Sequence, residues 1–206
     1  MNYRVITLAI SLLFAPYVSA TAQEAHEVVN ETVEIVIERI KTEQEMLQAQ
    51  PERVFEVVND LVLPRFDFNF MSRAVLGKSA WKSSSAQQHT EFAAQFTNLL
   101  VRTYGKALLS YVDQTSEYLE TIAKPGSDIV LVKTQIRHGN GDITPVDYWL
   151  RRSNSGWKVI NVSFQGVNLI KTYRQSFASE IKNNGMDSLI QKLADKNEKL
   201  AGSVIN

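Results

Sequence analysis

The sequence predicts an α+β fold, in which helices at both ends of the chain wrap an antiparallel sheet of about four strands. Apolar residues recur at intervals of three and four before residue 111 and after residue 167, a spacing typical of amphipathic helices. Between Glu117 and Phe164 apolar and polar residues alternate instead, as they do in half-buried strands. The gaps between the alternating segments are too short for helical crossovers, so an antiparallel sheet is favoured.

Two helices are predicted ahead of Pro64. The first runs from Ala25 to Leu47 and has Glu and Lys between its apolar residues. Its apolar positions are Val29, Val33, Val36, Ile37 and Ile40. The second begins near Pro51, because proline is tolerated in the first turn of a helix. Its apolar stripe consists of Val54, Phe55, Val58, Leu61 and Val62.

A third long helix is predicted to begin at Ser85, because Ser85 and Gln88 have the spacing of a capping box. Its apolar face consists of Phe92, Phe96, Leu99, Leu100, Thr103, Leu108 and Tyr111. Upstream, Asp67 stands between Phe66 and Phe68 and has two interpretations, a helix cap and a buried acid, of which the cap is favoured. The alternating phenylalanines resemble a strand pattern, so the helix boundaries there stay open.

Turn signals divide the alternating region into strands. They are the Gly-, Ser- and Asn-rich segments 125–127, 139–142 and 153–156. Helical spacing returns at Val167 and ends at Gly185, a favourable residue at a helix C-terminus. A last helix is predicted from Met186 to Leu200.

The N-terminus has the three parts of a secretory signal. Arg4 supplies the positive flank, residues 5–15 form an uncharged apolar run, and Ala20 and Ala22 offer cleavage sites of small residues. We expect residues 1–22 to be a signal peptide and residues 23–206 to form a single domain. The chain contains no cysteine, which excludes disulfides and a lipid anchor on an N-terminal cysteine. These features favour the bacterial periplasm.

Composition and motifs argue against nucleic-acid binding, metal chemistry and catalysis. Basic and acidic residues number 22 each, so the formal net charge is zero, whereas nucleic-acid binders usually carry a basic excess. The three histidines have no metal-ligand spacing and are interpreted as surface residues. The sequence has no nucleophile elbow, phosphate loop or calcium loop. We therefore expect neither an enzyme nor a metal site.

Four segments, in order, carry a family resemblance. They are 62–73 (VLPRFDFNFMSR, followed by Val75–Gly77 and Trp81), 92–104 (FAAQFTNLLVRTY), 160–177 (INVSFQGVNLIKTYRQSF) and 185–190 (GMDSLI). Together they resemble the MlaC family, the toluene-tolerance family of periplasmic phospholipid carriers. The resemblance covers nearly the whole chain after the predicted signal peptide. Its specificity lies in the ordered set, since no single segment is unique.

The resemblance implies a sheet wrapped by helices around an apolar pocket that takes the acyl tails, with the head group near the entrance. It implies no cofactor, since the bound phospholipid is cargo, and a shuttle that keeps the outer membrane asymmetric in lipid. The implied partners are a glycerophospholipid, a lipoprotein–porin complex at the outer membrane and an inner-membrane ABC transporter with a periplasmic ring.

A set of candidate site residues follows from this hypothesis. The candidate lipid-binding residues are Phe70, Met71, Leu76, Phe96, Leu100, Tyr104 and Leu108 from the helices and Leu131, Val146, Tyr148 and Val159 from the sheet. A basic patch of Arg151, Arg152 and Arg174 is predicted to dock an acidic partner. Two alternatives stay open: a small α+β cone enzyme, which needs an acid or a histidine inside the cavity, and a periplasmic adaptor or chaperone with a filled core.

Overall fold

The computed structural model describes residues 16–111, 114–124 and 126–202. The apolar run of the predicted signal peptide, residues 5–15, lies outside the described residues, and its cleavage positions fall within the first helix. The signal peptide therefore stays a prediction. None of the described helices combines the length and the apolar character that a bilayer crossing requires. The predicted α+β class and the antiparallel sheet are confirmed.

The N-terminal region is one long helix followed by short helical segments. Helix α1 spans Pro16–Thr42, α2 spans Gln44–Ala49 and α3 spans Val54–Val57. The chain continues as a π-helical turn, Val58–Val62, and a 3-10 turn, Leu63–Arg65. The predicted second helix thus forms over residues 51–65, but as short 3-10, α- and π-helical segments instead of one regular α-helix. Pro64 lies in the last of these segments, where it provides no N–H for a helical hydrogen bond.

The two central helices begin at the caps that the sequence predicts. Helix α4 spans Phe68–Ser83, and the Asp67 carboxylate accepts a hydrogen bond from the backbone N–H of Phe70 at 2.9 Å. Helix α5 spans Ala86–Tyr104 and begins with the full capping box of Ser85 and Gln88. The helix predicted to reach Tyr111 is shorter than expected, because residues 105–111 form a 3-10 segment.

The sheet is an antiparallel meander of four long strands and a short fifth, in the order β1-β2-β3-β4-β5. The strands are β1 Thr115–Ala123, β2 Ile129–Arg137, β3 Ile143–Ser153, β4 Gly156–Phe164 and β5 Val167–Asn168. Val132 of β2 pairs with Tyr148 of β3, and Leu131 pairs with Trp149. Because neighbouring residues of a strand point to opposite faces, these two pairs lie on opposite faces of the sheet.

The C-terminal helices close the fold, and the described core is divided into three apolar clusters. Helix α6 spans Leu169–Asn184 and α7 spans Met186–Gly202. One cluster joins α4, α5, α6 and α7 around Phe92 and Phe96. A second joins α1 to strands β2, β3 and β4 around Leu150, and a third joins the C-terminal half of α1 to α2 and α3 around Ile40. The division leaves space where the three clusters approach one another.

Candidate functional site

An apolar cavity of about 340 Å³, partly open to solvent, lies between one face of the sheet and the helices. Its floor is formed by β1 to β4, and its walls are formed by α1, the segment 58–71 and the end of α5 with the following 3-10 turn. Met71 belongs to the first core cluster, Val29 to the second and Val36 to the third. All three line the cavity, so it occupies the space that the clusters leave unfilled.

Helix α1 supplies the largest continuous part of the wall. Its cavity-lining residues are Val28, Val29, Thr32, Val33, Val36, Ile37 and Ile40. The helical spacing of this stripe is evident in the sequence, but its residues are not among the predicted lipid-binding residues. The spacing shows that a helix buries one side; it does not show whether that side meets a packed core or a cavity.

Polar groups are sparse among the described lining residues. Apart from Arg65, none of them carries a formal charge at neutral pH, and no Asp, Glu or His is among them. The other larger polar side chains are those of Gln114, Tyr104 and Tyr148. Burial raises the pKa of the Tyr148 phenol to about 12, so this group is neutral at physiological pH. The described wall therefore offers burial to an apolar ligand and no acid–base pair.

Seven of the predicted lipid-binding residues line this cavity. They are Met71, Leu100, Tyr104, Leu108, Val146, Tyr148 and Val159. Val146 and Val159 are buried, at 4% exposure each, and lie on the cavity face of the sheet. Tyr104 is 45% exposed and also lines the cavity, which places it where the cavity meets solvent. The structure thus brings residues from two helical regions and two strands around one space.

Four of the predicted residues lie elsewhere. Leu76 and Phe96 are buried in the cluster of α4 to α7, where Phe96 packs edge-on against Phe177 with ring centroids 5.8 Å apart. Leu131 points to the opposite face of the sheet, because it is one residue out of phase with the cavity-facing positions of β2. Phe70 lines an outer groove, where the guanidinium carbon of Arg151 lies 4.7 Å from its ring centroid.

The three arginines predicted to form one patch are divided by the sheet. Arg151 pairs with Asp67 at 3.2 Å and lines an open groove of about 1060 Å³ along α4 and α5. Arg174 lines the same groove and donates through Nε to the carbonyl of Ala74 at 3.0 Å. Arg152 pairs instead with Glu24 of α1 at 3.3 Å. Arg151 and Arg152 are sequence neighbours on a strand, so they point to opposite faces.

The three histidine side chains make more contacts than the sequence predicts. His89 stacks on the Trp81 ring at 3.6 Å, and its Nε2 lies 2.9 Å from the Trp81 carbonyl oxygen. His26 lies 3.8 Å from the Tyr118 ring, and the Nε2 of His138 lies 2.8 Å from the Thr144 hydroxyl. All three side chains are partly buried, so their interpretation as solvated surface residues is wrong.

Comparisons with known proteins agree on one family. A sequence model of the MlaC protein family matches residues 30–195. Over 180 residues the chain is 28% identical to the toluene tolerance protein ttg2D of Pseudomonas putida, and this alignment covers 87% of this chain and 83% of that protein. Over 194 residues it is 21% identical to the intermembrane phospholipid transport system binding protein MlaC of Haemophilus influenzae, and this alignment covers 93% of this chain and 90% of that protein.

A solved structure gives the same result for the fold. The phospholipid-binding protein from Ralstonia solanacearum, solved in complex with a phospholipid, is 30% identical to this chain and superposes with a TM-score of 0.79. The superposition covers 86% of this chain and 99% of the Ralstonia chain. Since the family match spans well over half of the sequence and a solved relative has the same fold, the chain belongs to the MlaC family.

Proposed function

We propose that the protein is a periplasmic phospholipid carrier, which holds the acyl chains of a glycerophospholipid in the apolar cavity. The observation that carries the proposal is the cavity itself, with its apolar wall between the sheet and α1. Small-molecule sites are typically concave, mostly apolar and lined by few polar groups. The relative from Ralstonia solanacearum, which has the same fold, is a phospholipid-binding protein in complex with a phospholipid, and this supports the choice of ligand.

Burial alone accounts for carriage without covalent chemistry. Each buried methylene contributes about 0.8 kcal/mol. A space of about 340 Å³ holds on the order of a dozen methylenes, which contribute about 10 kcal/mol before costs are subtracted. Ordering the tails and opening the cavity reduce the net affinity. A membrane offers the tails the same burial, so loading and release require a partner that changes the relative affinity of the cavity.

The cavity favours binding over catalysis. An enzyme that acts on a hydrophobic substrate needs a nucleophile with a base, or an acid–base pair, within reach of the substrate. The described lining residues include no carboxylate and no imidazole. Asp67, the acid that the enzyme alternative requires, caps α4 and pairs with Arg151 at the outer groove. The filled core that the adaptor alternative requires is at odds with the cavity.

The proposal includes exchange with two membrane complexes. These are a lipoprotein–porin complex at the outer membrane and an ABC transporter with a periplasmic ring at the inner membrane, and the exchange keeps glycerophospholipid asymmetric in the outer membrane. Arg151 and Arg174, which share the outer groove, are the predicted docking residues that lie together. The secretory pattern of residues 1–22 and the absence of cysteine support a periplasmic location.

A cavity-filling substitution tests the proposal. Val146→Trp places a large ring in the cavity, whereas Leu131→Trp introduces the same side chain on the opposite face of the neighbouring strand. We expect Val146→Trp to lower the amount of co-purifying phospholipid on the order of tenfold, because the ring takes the space of the acyl chains. Leu131→Trp serves as the matched control and is expected to retain its lipid. The amount is measured by organic extraction and mass spectrometry.

Two results count against the assignment of the cavity. One is a normal lipid content in Val146→Trp with an unchanged circular dichroism spectrum. The other is an equal loss of lipid in both variants, which would indicate general damage to the sheet.

A further inference from the structure

Arg65 is the one cationic side chain among the described residues that line the cavity. We propose that its guanidinium binds the phosphate of the lipid head group at the cavity entrance, and that this contact makes the cavity prefer phosphate-bearing diacyl lipids to diacylglycerol. The inference rests on the proposed function, because it requires that acyl chains occupy the cavity. It identifies the phosphate as the chemical group by which the protein distinguishes its cargo from other diacyl lipids.

The backbone around Arg65 is fixed at the boundary between cavity and solvent. Arg65 ends the 3-10 turn that begins at Leu63, and the N–H of Phe66 donates to the Leu63 carbonyl at 3.1 Å. Phe66 then forms a parallel bridge with Val159 of β4, and the N–H of Asp67 donates to the Val159 carbonyl at 2.9 Å. Arg65 is partly exposed and also lines the cavity, so its side chain lies at the entrance.

The charge of Arg65 is not neutralised by the described protein. None of the ion pairs among the described residues includes Arg65. The nearest acid in the downstream sequence, Asp67, is occupied by Arg151 and by the Phe70 N–H. A second cation adds to the local charge, because the ammonium of Lys158 donates to the Pro64 carbonyl at 2.6 Å. The turn therefore presents positive charge beside an apolar space.

The chemistry of a glycerophospholipid matches this arrangement. Its tails gain by burial in the cavity, whereas its phosphate retains a negative charge and remains near water. A guanidinium has five N–H donors in a planar fork and binds two phosphate oxygens at once. Lysine at the same place supplies the charge without the fork. Diacylglycerol has the same tails and no phosphate, so it gains nothing from Arg65.

A competition between lipids measures this preference directly. The purified mature protein is incubated with vesicles that contain phosphatidylglycerol, phosphatidylethanolamine and diacylglycerol with identical acyl chains, then repurified, extracted and analysed by mass spectrometry. We expect Arg65→Gln to lower the ratio of each phospholipid to diacylglycerol about tenfold relative to the unmodified protein, because a hydrogen-bonded charge pair is lost. We expect Arg65→Lys to give an intermediate ratio. Arg73→Gln removes a cation of α4 outside the cavity and is the matched control.

The possible outcomes separate the inference from the proposed function. An unchanged ratio in Arg65→Gln overturns the inference while leaving the carrier intact. A loss confined to phosphatidylglycerol also overturns it, because phosphatidylethanolamine carries the same phosphate and the effect would be one of net charge. Equal losses in Arg65→Gln and Arg73→Gln contradict a local contact. Absence of all three lipids from the unmodified protein refutes the carrier and the inference together.

Discussion

Tyr148 places a phenol among apolar side chains at the floor of the cavity. It lies in β3 beside Val146 and Leu150, and it pairs with Val132 of β2 and Val162 of β4. Desolvation disfavours the phenolate and raises the pKa of Tyr148 from 10.0 to about 12. The neutral phenol is thus the form that the folded protein stabilises, and it gives the cavity floor a polar atom without a charge.

The shift in this pKa predicts a loss of stability at high pH. The folded pKa lies above the unfolded value, so the contribution is complete below pH 10 and is lost as pH rises towards about 12. The expected loss attributable to Tyr148 is on the order of 2 kcal/mol across this range. Urea unfolding between pH 9 and pH 12, compared in the unmodified protein and in Tyr148→Phe, measures it. Parallel pH profiles for the two proteins would contradict the assignment, whereas a flatter profile in Tyr148→Phe agrees with it.

Single residues were predictable where the signal is local. The caps at Asp67 and Ser85 depend on residues three positions apart, and both form as expected. The face of Leu131 and the partners of Phe96 depend on distant segments. Leu131 was predicted to face the cavity but lies on the opposite face of the sheet. Residues 129–132 are all apolar, so the sequence does not show which of them face the cavity. Phe96 is on a buried helix face, but sequence spacing does not say that α6 and α7 already fill that side.

At the scale of elements, helix α4 changes direction at Gly77. This residue has φ 76° and ψ 168°, so α4 consists of two helical segments that meet there. The first segment carries Phe68 and Met71 to the cavity, and the second carries Trp81 to its stack on His89. Glycine adopts a positive φ without the steric cost that other residues incur.

Substitution of Gly77 tests the importance of this bend. Gly77→Ala is expected to destabilise the protein by about 1–2 kcal/mol, because a Cβ is strained at this φ even though the surrounding space is open. Gly139→Ala is the matched control, since its surroundings are also open and its φ lies outside the left-handed region. Urea denaturation measures both. Equal, near-zero effects would show that α4 straightens without cost.

Elements were predictable where one period persists. The four long strands and the helices α6 and α7 follow clear apolar spacing and form close to the predicted positions. Helix α1 begins and ends earlier than predicted, and α5 ends earlier, although both have the predicted apolar spacing. Apolar spacing predicts the region 51–70 less accurately, for two reasons. The expected second helix forms as a succession of short 3-10, α- and π-helical segments, which apolar spacing does not distinguish from one α-helix. The alternating phenylalanines 66, 68 and 70 imitate a strand although α4 begins at Phe68. This region contributes much of the cavity wall, so the site was predicted less completely than the fold.

For the whole molecule, the main consequence of the fold is an unfilled space between three core clusters. Protein interiors are normally close-packed, and an unfilled apolar cavity lowers stability in proportion to its volume. A ligand that fills the cavity stabilises the folded state by mass action. Under the proposed function, lipid in the cavity adds to the stability of a protein that has no disulfides.

Native mass spectrometry of the purified, unmodified protein tests this account most directly. The account predicts a stable complex whose added mass corresponds to a phospholipid, which organic extraction releases and identifies. It also predicts that Val146→Trp reduces this species and that Leu131→Trp does not. Protein purified under gentle conditions with only its polypeptide mass, and with no uptake of phospholipid from vesicles, would contradict the central claim.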